Sequence, residues 1–78
     1  MFRFHMAHLP VLKPLEVVRV VKKLGFVLDR QTGSHMIFRH SNSRWTIVPM
    51  HTKTIGKGLL RKIIKDTGLT PEEFLKIK

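Results

Sequence analysis

The sequence has no cysteine, few acids and no long apolar run. Without cysteine there is neither a disulfide nor a thiolate metal site to brace the fold, and the redox compartment is left open. The five carboxylates, Glu16, Asp29, Asp66, Glu72 and Glu73, are scattered. They read as helix-dipole or capping groups, which does not support a hydrolase built on paired carboxylates. No apolar stretch approaches the ~20 residues of a membrane-spanning helix. The start, Met1-Phe2-Arg3-Phe4-His5, lacks the long apolar region of a secretory signal. A cytoplasmic protein without a membrane partner is the expectation. There is also no glycine-rich phosphate loop followed by Lys-Ser or Lys-Thr, and no serine nucleophile elbow.

What the chain does have is positive charge. Fifteen Lys and Arg face those five acids, a formal +10 over 78 residues. Such a field favours a polyanion, with nucleic acid first and an acidic protein second. The length allows one small domain with a thin core. Residues 1–8 are read as a loose N-terminal extension and 9–78 as the domain.

Residues 9–12 are a short extended lead-in. Pro14 suits a first helical position, and Leu15, Val17, Val18, Val21 and Leu24 fall at helical spacing. With Gly25 as the stop, this predicts a helix over 14–24. Strands are expected over 26–30, 34–39 and 44–49, joined by the Gln31-Thr32-Gly33 turn and a polar turn at His40-Ser41-Asn42-Ser43. Two short turns between three strands make an antiparallel meander. A loop over 51–58 precedes a second helix over 59–65, whose apolar face is Leu59, Leu60, Ile63 and Ile64. Gly68 ends it. Thr70-Pro71-Glu72-Glu73 is a capping box opening a last short helix. The expected architecture is a two-layer α+β domain, α-β-β-β-α-α, with helices on one face of a three-stranded sheet and the other face open. Strand alternation sends Met36 and Phe38 to the core and His35, Ile37 and Arg39 outward. In the third strand it sends Trp45 and Ile47 inward, and Arg44, Thr46 and Val48 outward.

Among the histidines, His5, His8, His35, His40 and His51, no pair has zinc-motif spacing, so neither metal nor cofactor is expected. His35 stands out because it opens a strand just after a glycine turn, on rigid backbone beside solvent. Histidine with many cations suits RNA cleavage by the RNA's own 2′-hydroxyl. Imidazole moves the proton, positive charge stabilises the phosphorane-like transition state, and no metal is needed. Arg39, Lys53 and Lys57 are candidate cations, and Lys57-Gly58 before a helix is also a candidate anion site. Arg61, Lys62 and Lys65 form a basic face suited to phosphates. Strand order would bring His51 near His35, as an auxiliary. Trp45 is read as core, with base stacking as the alternative.

Several segments in order resemble one family. They are Lys23-Leu24-Gly25-Phe26, the Gly33-Ser34-His35 turn, Phe38-Arg39-His40, Ile47-Val48-Pro49-Met50-His51 and Lys57-Gly58-Leu59-Leu60 running on to Glu73-Phe74-Leu75. Together they resemble the HicA (YcfA-like) toxins of type II toxin–antitoxin systems. The resemblance implies a double-stranded-RNA-binding-domain-like fold. It also implies a ribosome-independent mRNA endonuclease, or mRNA interferase, held in check by a HicB-like antitoxin. The family's catalytic histidine maps to His35, and Ser34 belongs to the same turn. Met36 stands where many members carry a second histidine, and Leu59 where many carry threonine.

Three readings stay open: an RNA-cleaving toxin, a non-catalytic RNA-binding module, and a basic subunit that only pairs with an acidic protein. A homodimer is compatible with each.

Overall fold

The computed structural model describes residues 9–78. The N-terminal extension read over 1–8, with His5 and His8, lies outside the described residues. The order is α1 (Pro14–Lys23), β1 (Val27–Thr32), β2 (His35–Arg39), β3 (Trp45–Pro49), α2 (Lys57–Thr67) and α3 (Pro71–Ile77). This is the expected α+β arrangement, with one antiparallel sheet in the order β1-β2-β3. Among the described residues no helix is long and apolar enough to cross a membrane.

Pro14 occupies the first turn of α1, and the Lys13 N–H donates to the Glu16 carboxylate at 2.8 Å. Gly25, at φ +99, takes the left-handed conformation that ends the helix. Valine lowers helix propensity by at most ~0.7 kcal/mol per residue. Burying a valine side chain returns roughly 1.5 kcal/mol or more. Val17, Val18, Val20 and Val21 are all buried, so packing outweighs propensity and α1 forms. Leu15 does not join them. It lies about 140° around the helix from the centre of that face, at 100° per residue, and is 66% exposed.

The first hairpin is tighter than expected. Gln31 and Thr32 belong to β1, Thr32 pairs with His35, and Gly33 and Ser34 alone make the turn. Gly33 sits at φ +60, and Gln31 Nε2 donates to its carbonyl at 3.0 Å. In the second hairpin, β2 and β3 pair Met36 with Val48 and Phe38 with Thr46 on one face. They pair Ile37 with Ile47 and Arg39 with Trp45 on the other.

That register corrects the facing expected of β3. Thr46 and Val48 are buried, whereas Trp45 is half exposed and Ile47 half-buried on the open side. A threonine is tolerated inside because its hydroxyl donates to Asp66 on α2 at 2.9 Å, so no buried side-chain polar atom is left unpaired among the described residues. Met36 and Phe38 face inward as expected.

α2 begins two residues earlier than read, at Lys57, and ends at Gly68 with φ +84. The capping box is present: Glu73 N–H donates to Thr70 Oγ1 at 3.2 Å, and Thr70 N–H to Glu73 Oε1 at 2.8 Å. Phe74 then packs α3 into the core. The lead-in is pinned at Leu12, whose carbonyl accepts the Ile55 N–H at 2.6 Å. Helical cover stops short of β1, where all six residues are exposed.

Two expectations follow. Thr46→Val keeps the volume and removes the hydroxyl, so it costs about 1.5 kcal/mol in denaturant unfolding. An outward Thr46 would give no change. The Glu16 carboxyl is held below its ordinary value by the Lys13 N–H, helped by the Lys78, Lys13 and Arg19 charges. A depressed carboxyl contributes stability above its unfolded pKa and loses it as pH falls through the folded value. Acid unfolding of Glu16→Gln therefore shows a shallower decline below about pH 4.5 than wild type.

Candidate active-site groove

His35 emerges from the Gly33-Ser34 turn onto the open face of the sheet. After β3 the chain returns past that turn through residues 50–56. Met50 N–H donates to the Ser34 carbonyl at 2.6 Å and fixes the start of this loop. The next residue, His51, then lies beside the hairpin tip. Ser34 Oγ and His51 Nδ1 are hydrogen-bonded at 3.0 Å, and the His35 and His51 rings meet edge to face with centroids 5.7 Å apart. With Nδ1 engaged by Ser34, Nε2 of His51 is the nitrogen left for a ligand. Both imidazoles are exposed. Two groups able to exchange protons thus share one solvent-facing corner.

A groove of about 240 Å³ leads away from this corner. His35, Ile47 and Pro49 line it from the sheet, and Leu59, Lys62, Ile63 and Asp66 from α2. Leu59, Lys62 and Asp66 recur at one helical face, which turns this stripe toward the sheet edge. Leu59, expected in the core, is 38% exposed at the groove wall, about 90° from the centre of the buried face of α2. Asp66 accepts from Thr46 at 2.9 Å and from Lys62 Nζ at 3.1 Å on the same oxygen. Lys62 remains largely exposed, so this pair contributes at most ~0.5 kcal/mol and does not lock the ammonium away from a phosphate.

The remaining sequence candidates are dispersed. Arg39 lies four residues along β2 from His35, about 13 Å at strand rise. Its Nε donates to Asp29 at 3.1 Å, and its guanidinium lies 5.9 Å from the Trp45 ring centroid. Lys53 lines a second cleft of about 320 Å³ with Lys13, Leu15 and Met50. Lys57 is in the first turn of α2, and Arg61 and Lys65 point to solvent on the side away from the groove. The structure therefore gathers Ser34, His35 and His51, with Lys62 on the wall of the adjoining groove, and places Arg39, Arg61 and Lys65 away from them.

His40 is structural. Asn42 N–H donates to its Nδ1 at 3.1 Å, so Nε2 carries the proton and donates to the Leu24 carbonyl at 3.1 Å. Its ring also meets Phe26 edge to face at 5.0 Å. No three His, Asp or Glu side chains converge on a metal position among the described residues. Sequence reasoning missed Ile47, Leu59 and Asp66 as groove residues. The one available signal was Asp66 four residues after Lys62, an ion-pair spacing that leaves the partner strand undetermined.

The chain matches a family model described as the HicA toxin of bacterial toxin–antitoxin systems over residues 15–69. That span runs from the first turn of α1 past the end of α2 and includes the whole groove. No curated protein matches the chain.

The hairpin tip that aims Ser34 and His35 rests on Gly33. A Cβ there meets nothing within 4 Å, so the cost of Gly33→Ala is conformational, about 1 kcal/mol from the left-handed backbone. Gly33→Asn should cost measurably less, since asparagine tolerates that region, and thermal unfolding of the two variants orders them.

Proposed function

The chain belongs to the HicA toxin family of bacterial toxin–antitoxin systems, as the toxin component, and we propose that it is a ribosome-independent mRNA endoribonuclease with His35 as its proton-transfer residue. The observation that carries this reading is the exposed His35–His51 pair, 5.7 Å between rings, beside the Ser34 hydroxyl on a chain of charge +10. Two imidazoles at that separation can each reach an oxygen of one phosphodiester.

The RNA supplies the nucleophile. One imidazole takes the proton of the 2′-hydroxyl, and the 2′-oxygen attacks phosphorus. The bond to the 5′-oxygen breaks, and the second imidazole returns a proton to that leaving oxygen. The products are a 2′,3′-cyclic phosphate and a 5′-hydroxyl, with protons and electrons balanced and no water consumed. His35 is the principal residue. His51, oriented by Ser34, is the auxiliary that a single histidine would lack. Lys62, which lines the same groove as His35, stabilises the added negative charge. Arg39, Lys53, Lys57, Arg61 and Lys65 draw the RNA backbone by long-range attraction, a contribution that salt weakens. Because the nucleophile is part of the substrate, this route requires no metal.

The family pairs each toxin with an antitoxin. We assign that partner to a HicB-like protein with acidic surface, which silences the toxin by covering the His35 corner.

The test is a gel of long single-stranded RNA incubated with purified protein in EDTA. Wild type should cut it to fragments that a polynucleotide kinase labels directly at the 5′-hydroxyl. His35→Ala should lose at least ~100-fold in rate, and His51→Ala less. RNA shifted but uncut by all three proteins would instead leave a non-catalytic RNA-binding module.

A further inference from the structure

The open face of the sheet carries a second feature at the end opposite the histidines. Trp45 is 50% exposed there, although tryptophan is among the most expensive side chains to leave in water. Its cross-strand partner is Arg39, whose guanidinium lies 5.9 Å from the ring centroid, within cation–π range. Arg39 is itself held by Asp29 through Nε at 3.1 Å. That bond ties one edge of the guanidinium to β1, and the two terminal nitrogens make no hydrogen bond among the described residues. The face therefore runs from His35 and Pro49, through half-buried Ile37 and Ile47, to Arg39 and Trp45. The two ends are about 13 Å apart along the strands.

We propose that Trp45 and Arg39 form a base-stacking subsite for single-stranded RNA, placed a few nucleotides along the strand from the phosphodiester held at His35 and His51. The subsite rests on the ribonuclease reading and adds a substrate class to it. An indole half open to solvent offers a flat apolar surface to a nucleobase, and every base has a π-face to match. The guanidinium beside one face of the indole leaves the other face to the base and offers its remaining N–H groups to the flanking phosphate. The apolar stretch between the two ends accepts the edges of sugars and bases. The net charge of +10 favours a nucleic acid over an apolar protein segment on this face. A duplex keeps its base faces stacked on one another and has none to offer Trp45, so the subsite selects unpaired RNA.

Trp45 is the only tryptophan and the chain has no tyrosine, so intrinsic tryptophan fluorescence reports this one position. His35→Ala protein, which leaves RNA uncut, is titrated with a short oligoribonucleotide of mixed sequence. The same length made abasic and the same sequence as a duplex are run beside it, and a dye on the RNA reports binding independently by anisotropy. The single strand should quench Trp45 fluorescence saturably, with little quenching by the abasic strand or the duplex. Adding Trp45→Ala to the His35→Ala background should weaken single-strand binding roughly tenfold, and Trp45→Phe should restore most of it. RNA binding without quenching, and with equal affinity in Trp45→Ala, overturns the subsite while leaving the ribonuclease reading intact. Unchanged RNA affinity with weakened capture of the antitoxin overturns it too and gives the patch to the protein partner. Absence of RNA binding in every protein overturns the subsite and the ribonuclease reading together.

Discussion

The pairing register of β2 with β3 is the constraint on which the rest depends. Side chains alternate along a strand, so a slip of one residue would exchange the core set with the solvent set. The observed register puts Phe38, Met36, Val48 and Thr46 under the helices and leaves His35, Ile37, Arg39, Trp45 and Ile47 on the open face. It is pinned at one end by the Met50 N–H bonded to the Ser34 carbonyl. From the helical layer it is pinned by the Thr46 hydroxyl bonded to Asp66. The second bond reaches further than its own energy suggests, because Asp66 also carries Lys62. One carboxylate thus connects the inside of the sheet to the wall of the groove.

The corner that holds the two histidines is built by a turn and a loop, with little help from enclosure. The groove beside it is small and lined chiefly by Ile47, Pro49, Leu59 and Ile63, with the paired Lys62 and Asp66 on its α2 wall. Attraction of a polyanion therefore falls to the field of the whole molecule, and the few short hydrogen bonds set orientation. Met36 is instructive here. Its side chain packs against the core opposite Val48, so in this chain position 36 does not serve the corner. The second imidazole beside His35 arrives instead from the loop that follows β3, on His51.

Much of this was legible in the sequence because it is local. Proline at the start of α1, left-handed glycines at 25 and 68, and the Thr70/Glu73 box are signals in which the residue that decides and the element it decides are adjacent. The strands and their order came from β-formers between turns. The facing of β3 was not legible. Trp45-Thr46-Ile47-Val48 alternates bulky and small residues, and hydrophobicity alone prefers tryptophan inside. What turns it over is a hydroxyl–carboxylate bond to a residue on another element, which no window along the chain contains. Leu15 and Leu59 failed for a related reason: an apolar residue in a first turn matches the helical period whether or not the neighbouring layer reaches it. In the site, His35 was visible from its turn and the nearness of His51 from strand order. The outward face of Trp45 followed only once Thr46 was placed.

The uncovered strand has a consequence for self-association. β1 is an edge with all six residues exposed, including Val27 at 69% and Leu28 at 40%. A free edge with apolar side chains is a template on which a second copy can extend the sheet and seed fibre growth. Here the ladder is broken by the irregularity between Leu28 and Arg30, and the displaced residue, Asp29, is drawn toward Arg39. An incoming strand would meet a kinked backbone followed by Arg30, on a body that already repels its own kind. The bulge that orients Arg39 on the open face thereby also acts as a gatekeeper against polymerisation at the one strand the helices leave bare.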